Sequence, residues 1–174
     1  MSIMKAIKNR HCVRKFTGES VPHNKIIKLL EAARSAPSAG NSQPWRFYIV
    51  KNKGIQTMLS EAALDQKWML TAPVIIVVCA DLARSGEAYG QRGMGLYAYQ
   101  DTAAAVENIL LSVAELGLAS CWVGAFREEM AAKALKIKDH STIRPVAMLP
   151  VGYPAETPPP TPRRPLEEIT IYLD

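Results

Sequence analysis

Two polar clusters in this chain carry the residue types needed to hold an anionic, planar ligand. The first is Arg10-His-Cys-Val-Arg14, in which two arginines flank a histidine and a thiol. Guanidinium forks match phosphate oxygens two at a time, which makes this grouping a candidate anion site. Taken alone it reads equally well as a solvated turn after a helix. The second is Ala36-Pro-Ser-Ala-Gly-Asn-Ser-Gln-Pro-Trp45, with two prolines, a glycine, two serines, an asparagine and a glutamine. Side chains this small, polar or φ-restricted do not pack as core. They present hydrogen-bonding groups to a ligand instead.

Other chemical signatures are weaker. Gly93-Met-Gly95-Leu-Tyr-Ala98 fits the G-x-G-x-x-A dinucleotide pattern, but that pattern needs a strand immediately before it to hold a pyrophosphate. The nearest expected strand ends at Ala80, so a loop entering a helix is the better reading. No G-x-S-x-G elbow, Walker A lysine or H-E-x-x-H pair occurs, and each of those would bring its own chemistry. Cys12, Cys79 and Cys121 are odd in number and widely spaced, and His11, His23 and His140 add no ligand pattern. Neither a disulfide framework nor a zinc site is expected. Cys79 and Cys121 lie in apolar segments and read as small buried hydrophobes. Cys12, between two arginines, is the candidate reactive thiol. Asp101 and Glu107 fall on one helix and read as caps or arginine partners rather than an acid–base pair. So few side-chain catalysts point to a cofactor that carries the chemistry itself.

These clusters need elements to position them. Ser2–Asn9 reads as a short helix, and Pro22 and Asn24 start a second in which Ile26, Leu29, Leu30 and Ala33 form one apolar stripe. Trp45–Val50 is an expected strand, and Ile55–Ala63 an expected helix after Gly54. Pro73–Ala80 is a continuous β-branched run, the pattern of a central strand covered on both faces. Arg84–Gly95, rich in glycine and charge, reads as a mobile loop. Tyr97–Leu116 is the longest helical pattern, apolar enough for the core or a subunit interface, with Gly117 as its C-cap. Leu118–Val123 reads as a short strand, Glu128–Leu135 as a helix and Pro145–Val151 as a strand. From Gly152 to Pro165 six of fourteen residues are proline, so this stretch is an extended arm. It leads to an expected strand at Ile169–Leu173, placed to pair with a distant sheet edge or another subunit. The order of elements predicts an α+β or mixed α/β fold in one domain, residues 1–174.

Composition narrows the function classes. The formal net charge of +5 could serve nucleic acid or an anionic cofactor. The basic residues are dispersed apart from Arg10/His11/Arg14/Lys15 and Arg163/Arg164, which suits one phosphate better than a polyanion. Nucleic acid is therefore not an expected partner. The longest apolar run, Pro73–Ala80, has only eight residues, too few to span a bilayer. With no signal core at the N-terminus, the expected location is cytoplasmic.

At this point the motifs carry a resemblance. Arg10-His-Cys-Val-Arg-Lys-Phe16 resembles the R-R-S-x-R-x-F opening of the FMN-dependent nitroreductase family. Ala36–Trp45 is similar to its second signature, and Gln66 with Ala72-Pro-Val-Ile-Ile-Val77 to its next segment. Gln100-Asp101, Leu116–Phe126, Leu149–Pro154 and Arg163–Ile169 complete the likeness, in order, over essentially the whole chain. The resemblance implies an α+β fold with a central mixed sheet flanked by helices, and a C-terminal arm (152–174) exchanged in a homodimer. It implies FMN in two clefts at the subunit interface. Arg10, His11 and Arg14 would hold its phosphate and ribityl chain, with Cys12 at the family's serine position and Arg163 or Arg164 completing the site. Pro37, Ser38, Ala39 and Asn41 would come from the partner, Gln66 and Lys67 would meet the polar edge of the ring, and Gly124 and Ala125 would bring backbone N–H groups to its reactive nitrogen. No side chain is expected to act as acid or base. NADH or NADPH would reduce the flavin, which would pass a hydride in ping-pong turnover to a small-molecule electron acceptor such as a nitroaromatic or quinone. Rival readings are a same-fold reductase of an enone or halogenated aromatic, with ferredoxin as donor, and a flavin carrier without turnover.

Overall fold

The sheet is built around β2, Val74–Asp81, all eight residues of which are buried. The structure, a computed structural model, describes residues 2–173. β2 lies between β1 (Trp45–Val50) and β4 (Ile143–Gly152), and β3 (Ala119–Ser120) flanks β4, giving the order β1-β2-β4-β3. Such a β-branched run suits the centre, because successive side chains enter opposite layers and both are covered. Val74, Ile76 and Val78 face α2 (His23–Arg34) and α5 (Ala98–Glu115). Ile75, Val77 and Cys79 face α3 (Lys53–Ala62) and α6 (Glu128–Ala134). The expected α2 stripe is the buried one, through Ile26, Leu29 and Ala33. α5 lies in the core, with Ala105, Val106 and Ile109 fully buried. Full burial of an Ile or Leu side chain contributes about 1.5–3 kcal/mol.

The α+β class holds. The sheet departs from the expected mixed arrangement, since its three strand pairings are all antiparallel. A parallel pairing occurs as the isolated bridge Cys12–Ser120. The expected C-terminal strand is also missing within the chain: residues 169–173 form no strand, and Leu166–Glu168 is a single 3-10 turn. A strand exists only through ladder hydrogen bonds, and this segment meets no edge of its own chain.

The segment expected as a mobile loop, Arg84–Gly95, is instead mostly helix. α4 spans Leu82–Arg92, capped where β2 ends by Asp81, whose Oδ1 accepts the Arg84 N–H at 3.1 Å. A wide π-type turn, Gly93–Tyr97, then leads into α5. The glycines permit close packing rather than disorder. A Cβ on Gly93 would stand 2.2 Å from the Ser85 carbonyl oxygen, and the buried Ser85 hydroxyl donates to the Gly93 carbonyl at 3.0 Å. Because this turn joins two helices, the G-x-G-x-x-A stretch has no strand before it. α5 ends as expected at Gly117 (φ +68°), and the Leu118 N–H reaches back to the Val113 carbonyl at 2.8 Å, the 6→1 bond of a Schellman cap.

Candidate cofactor-binding site

The arginine cluster is held by its alternation. After α1 (Ile3–Asn9), Val13 and Phe16 turn inward against Ala72 and Ala119, so that Arg14 stays exposed. The Val13 N–H donates to the Ser120 carbonyl at 3.1 Å, tying this segment to β3. Arg10 Nε stands 3.8 Å from Glu107 Oε1 of α5, so Glu107 is an arginine partner, as expected. Arg10, His11 and Arg163 line one cleft of about 470 Å³. Arg164 is turned elsewhere, onto Glu168 at 3.1 Å. Of the two C-terminal arginines, Arg163 is therefore the one brought to the cluster. Arg10 and His11 also border a second hollow of about 190 Å³, together with Ser120. The Ser120 hydroxyl is buried and without a hydrogen-bond partner.

Around Arg14 the chain assembles a relay. The Arg14 guanidinium lies over the Trp68 ring, 5.9 Å from its centroid, and Trp68 Nε1 donates to Gln66 Oε1 at 3.1 Å. This leaves the Gln66 amide nitrogen as a donor. Trp68 was not singled out from sequence; an indole two residues beyond Gln66 was its only signal. The Arg14 N–H donates to Glu156 Oε1 of the proline-rich arm at 2.7 Å. Cys12 is exposed, whereas Cys79 and Cys121 are buried as expected. Burial pushes the Cys121 thiol up to about 12, and the charge and hydrogen bond of the adjoining Cys12 thiol push the same way, against Arg14 and Arg10.

The loop from Ala36 to Trp45 is bent by left-handed residues, Gly40 (φ +53°), Asn41 (φ +55°) and Gln43 (φ +52°). At Gly40 a Cβ would also lie 2.4 Å from the Tyr89 hydroxyl of α4. The Ala39 N–H donates to both carboxylate oxygens of Asp101, at 3.1 and 3.2 Å. Arg84 Nε donates to the Ser42 carbonyl, and Ser38 Oγ accepts the Gln43 N–H at 3.0 Å. These braces leave Pro37 and Asn41 exposed, with Ser38 and Ala39 half-buried. Burial raises the Asp101 carboxyl above its ordinary value, while the Ala39 N–H draws it down. Asp101 holds the loop and Glu107 faces Arg10. Six residues of helix separate them by about 9 Å along α5 and a third of a turn around it. The loop and the arginine cluster are thus set on different parts of α5.

Past β3, Val123 exchanges backbone hydrogen bonds with Met148 at 2.9 and 3.0 Å. Gly124 and Ala125 follow it, exposed, and among the described residues neither N–H has a partner. A Cβ on Gly124 would make only ordinary contacts with Trp122, at 3.7 and 3.9 Å. The fold itself therefore does not require glycine there. Gly124 borders a pocket of about 200 Å³ with Tyr99, Phe126, Glu128 and Arg144. Glu128 grips Arg144 with both carboxylate oxygens, and Arg144 donates to the Tyr99 hydroxyl at 2.7 Å. The Glu128 hydrogen bonds, the largest effect, hold the guanidinium firmly protonated.

An α+β chain with arginines gathered at a sheet edge and free N–H groups further along the same segment has clear relatives. The sequence profile of the Nitroreductase family matches residues 7–67 and 55–153. The chain is 34% identical over 162 residues to a Methanothermobacter thermautotrophicus protein provisionally named NADH dehydrogenase/NAD(P)H nitroreductase, covering 91% of this chain and 80% of that one. It is 26% identical over 178 residues to the FMN reductase [NAD(P)H] of Bacillus subtilis, covering 96% and 72%. A crystal structure of a nitroreductase family protein from Clostridium difficile superposes with a TM-score of 0.85 at 30% identity, covering 99% and 98%. The chain belongs to the nitroreductase family, and it is an oxidoreductase of that fold.

Proposed function

We propose that this protein is an FMN-dependent NAD(P)H oxidoreductase that works as a homodimer and reduces a small electron acceptor, such as a nitroaromatic or a quinone. The observation that carries this reading is the meeting of Arg10, His11 and Arg163, distant in sequence, on one cleft. The neighbouring hollow adds a buried hydroxyl, Ser120, that lacks a partner. Two arginines, a histidine and an unsatisfied hydroxyl suit a phosphate monoester. The relative named FMN reductase supports the choice of flavin.

Bound FMN supplies the two-electron chemistry, and the chain's own residues bind and orient it. Arg10, Arg14 and Arg163 neutralise the phosphate, and His11 meets the ribityl chain. The Gln66 amide nitrogen donates to the polar edge of the ring, with Lys67 adding positive charge there. The N–H groups of Gly124 and Ala125 lie at the end where hydride arrives and leaves. Pro37, Ser38, Ala39 and Asn41 of a second copy form the opposite wall. Turnover by positioning alone needs no acidic or basic side chain.

The dimer rests on the C-terminal arm. Ile169, Ile171, Tyr172 and Leu173 are exposed, and β1 is an edge strand. Beside β1 runs a cavity of about 610 Å³ lined by Ile26, Ile27, Leu30, Tyr48, Ile49 and Ile55 among others. An unpaired edge beside an apolar groove is a template for an added strand, and the arm of a second copy fills it. The cysteines are free thiols, which suits a reducing, cytoplasmic location.

Purified protein is expected to be yellow, and anaerobic NADH or NADPH is expected to bleach it. A colourless preparation that takes up no added FMN overturns the flavin reading. Bound flavin that neither nicotinamide bleaches overturns the oxidoreductase and leaves a carrier.

A further inference from the structure

We propose that Trp68 is a positioning residue: its indole N–H fixes the Gln66 side-chain amide in one sense, so that Arg14 and Gln66, both in contact with this indole, offer a ligand hydrogen-bond donors only. The direction of the amide follows from chemistry. An indole nitrogen donates and cannot accept. The Gln66 atom 3.1 Å from Trp68 Nε1 is therefore the amide oxygen, since the reversed amide would set two donors against each other. Gln66 Nε2 then keeps both its hydrogens for other partners, and among the described residues it has none. A glutamine without such a neighbour turns its amide and serves as donor or acceptor equally. Here one sense is selected before any ligand arrives.

The indole can do this because it is itself held. It packs against Val13, Phe16, Ala72 and Ala119. It lies in the 3-10 turn Lys67–Thr71, where the Gln66 carbonyl accepts the Met69 N–H at 3.0 Å. The Thr71 hydroxyl donates to the Trp68 carbonyl at 2.8 Å and accepts the Phe16 N–H at 3.3 Å. That second bond ties the turn to the segment that carries Arg14. The Arg14 guanidinium, over the same ring at 5.9 Å from its centroid, carries donors and no acceptor. A ligand edge suited to this pair presents carbonyl oxygens or unprotonated ring nitrogens. An edge that must donate would leave its own hydrogens and those of Gln66 unpaired, which is costly. For its ligand the inference rests on the flavin reading above, in which that edge belongs to FMN.

The lock is read first without any ligand. The full chain, stripped of flavin and isotope-labelled at its tryptophan nitrogens, gives indole N–H signals from Trp45, Trp68 and Trp122 in nuclear magnetic resonance. Trp68→Phe identifies the Trp68 signal by removing it. Gln66→Ala is expected to move that signal upfield and to speed its exchange with solvent several-fold, with the Trp45 and Trp122 signals in place. Gln66→Glu keeps an acceptor for the indole but loses both donors, so the signal is expected to stay near its original position. Titration with FMN then reads the donors. Trp68→Phe keeps a ring beneath Arg14, and it is expected to weaken FMN binding about 3- to 10-fold. Gln66→Ala and Gln66→Glu are expected to weaken it at least as much. Adding Trp68→Phe to Gln66→Ala is expected to cost nothing further, because Trp68 acts through Gln66. The proposal is overturned by a Trp68 signal that Gln66→Ala leaves unmoved, or by a Trp68→Phe chain that binds FMN as tightly as the unmutated one. It is also overturned by a double variant in which the two losses multiply, since Trp68 would then act through packing alone. A lock seen in a chain that binds no FMN overturns the flavin reading and leaves the lock standing.

Discussion

Arg14 meets two environments at once: its N–H a carboxylate and its guanidinium an indole face. Truncating it removes a charge-assisted contact of about 1.5–3 kcal/mol. Arg14→Ala is therefore expected to weaken FMN binding roughly 10- to 100-fold in a fluorescence titration, with Tm nearly unchanged because the side chain is exposed. Asp101 leads to a pH-dependent prediction. Its folded-state pKa lies above the ordinary value near 3.8. The stability it contributes is complete below 3.8 and is lost as pH rises through the raised value. Relative to Asp101→Asn, the unmutated protein is expected to lose Tm over that acid window and to run parallel above it in paired melts. A constant offset at every pH would contradict this. That Arg10 and His11 lie together could be read from sequence, because both sit in one short polar motif. Trp68 and Glu156 could not, since their roles come from contacts that close only when distant segments meet. Asp101 was read as a cap or arginine partner, and it caps a loop outside its own helix.

The elements whose residues state a period or a boundary were the legible ones. The β-branched run of β2, the α2 stripe and the Gly117 stop each state a period or a boundary, and the structure follows them. α4 was misread because Gly86, Gly90 and Gly93 hide its period, although Asp81 directly after a strand was a usable N-cap signal. Gly86 and Gly93 serve close approach and Gly90 a left-handed kink (φ +53°), and close approach recurs where α4 meets the Ala36–Trp45 loop. Gly40→Ala adds left-handed strain of about 1–2 kcal/mol and sets a Cβ against the Tyr89 hydroxyl. A Tm lower by roughly 2–8 °C is expected for a chain of this size. Adding Tyr89→Phe is expected to restore part of that loss, because the nearest remaining ring atom lies 3.3 Å away. No recovery in the double variant would place the cost in the backbone alone.

At the scale of the whole molecule, the chain leaves an edge strand uncovered and an apolar segment undocked. The mixed sheet implied by the family resemblance lacks its parallel strand within one chain. Sequence could announce a strand at Ile169–Leu173 but not the chain that receives it, since pairing is a property of two edges. Deleting residues 166–174 is expected to convert a dimer to a monomer in light scattering and to lower flavin retention. A full-length chain that is already monomeric would contradict the exchange. The arm does a second thing, through the Glu156 carboxylate on the Arg14 N–H. An incoming anion that needs this N–H must displace a carboxylate covalently tethered beside it. Its apparent affinity is then the intrinsic one scaled by the fraction of time Glu156 is away. Linkage is reciprocal. Whatever draws Glu156 off the Arg14 N–H tightens the anion site, and an anion that takes that N–H frees the Glu156 segment of the arm.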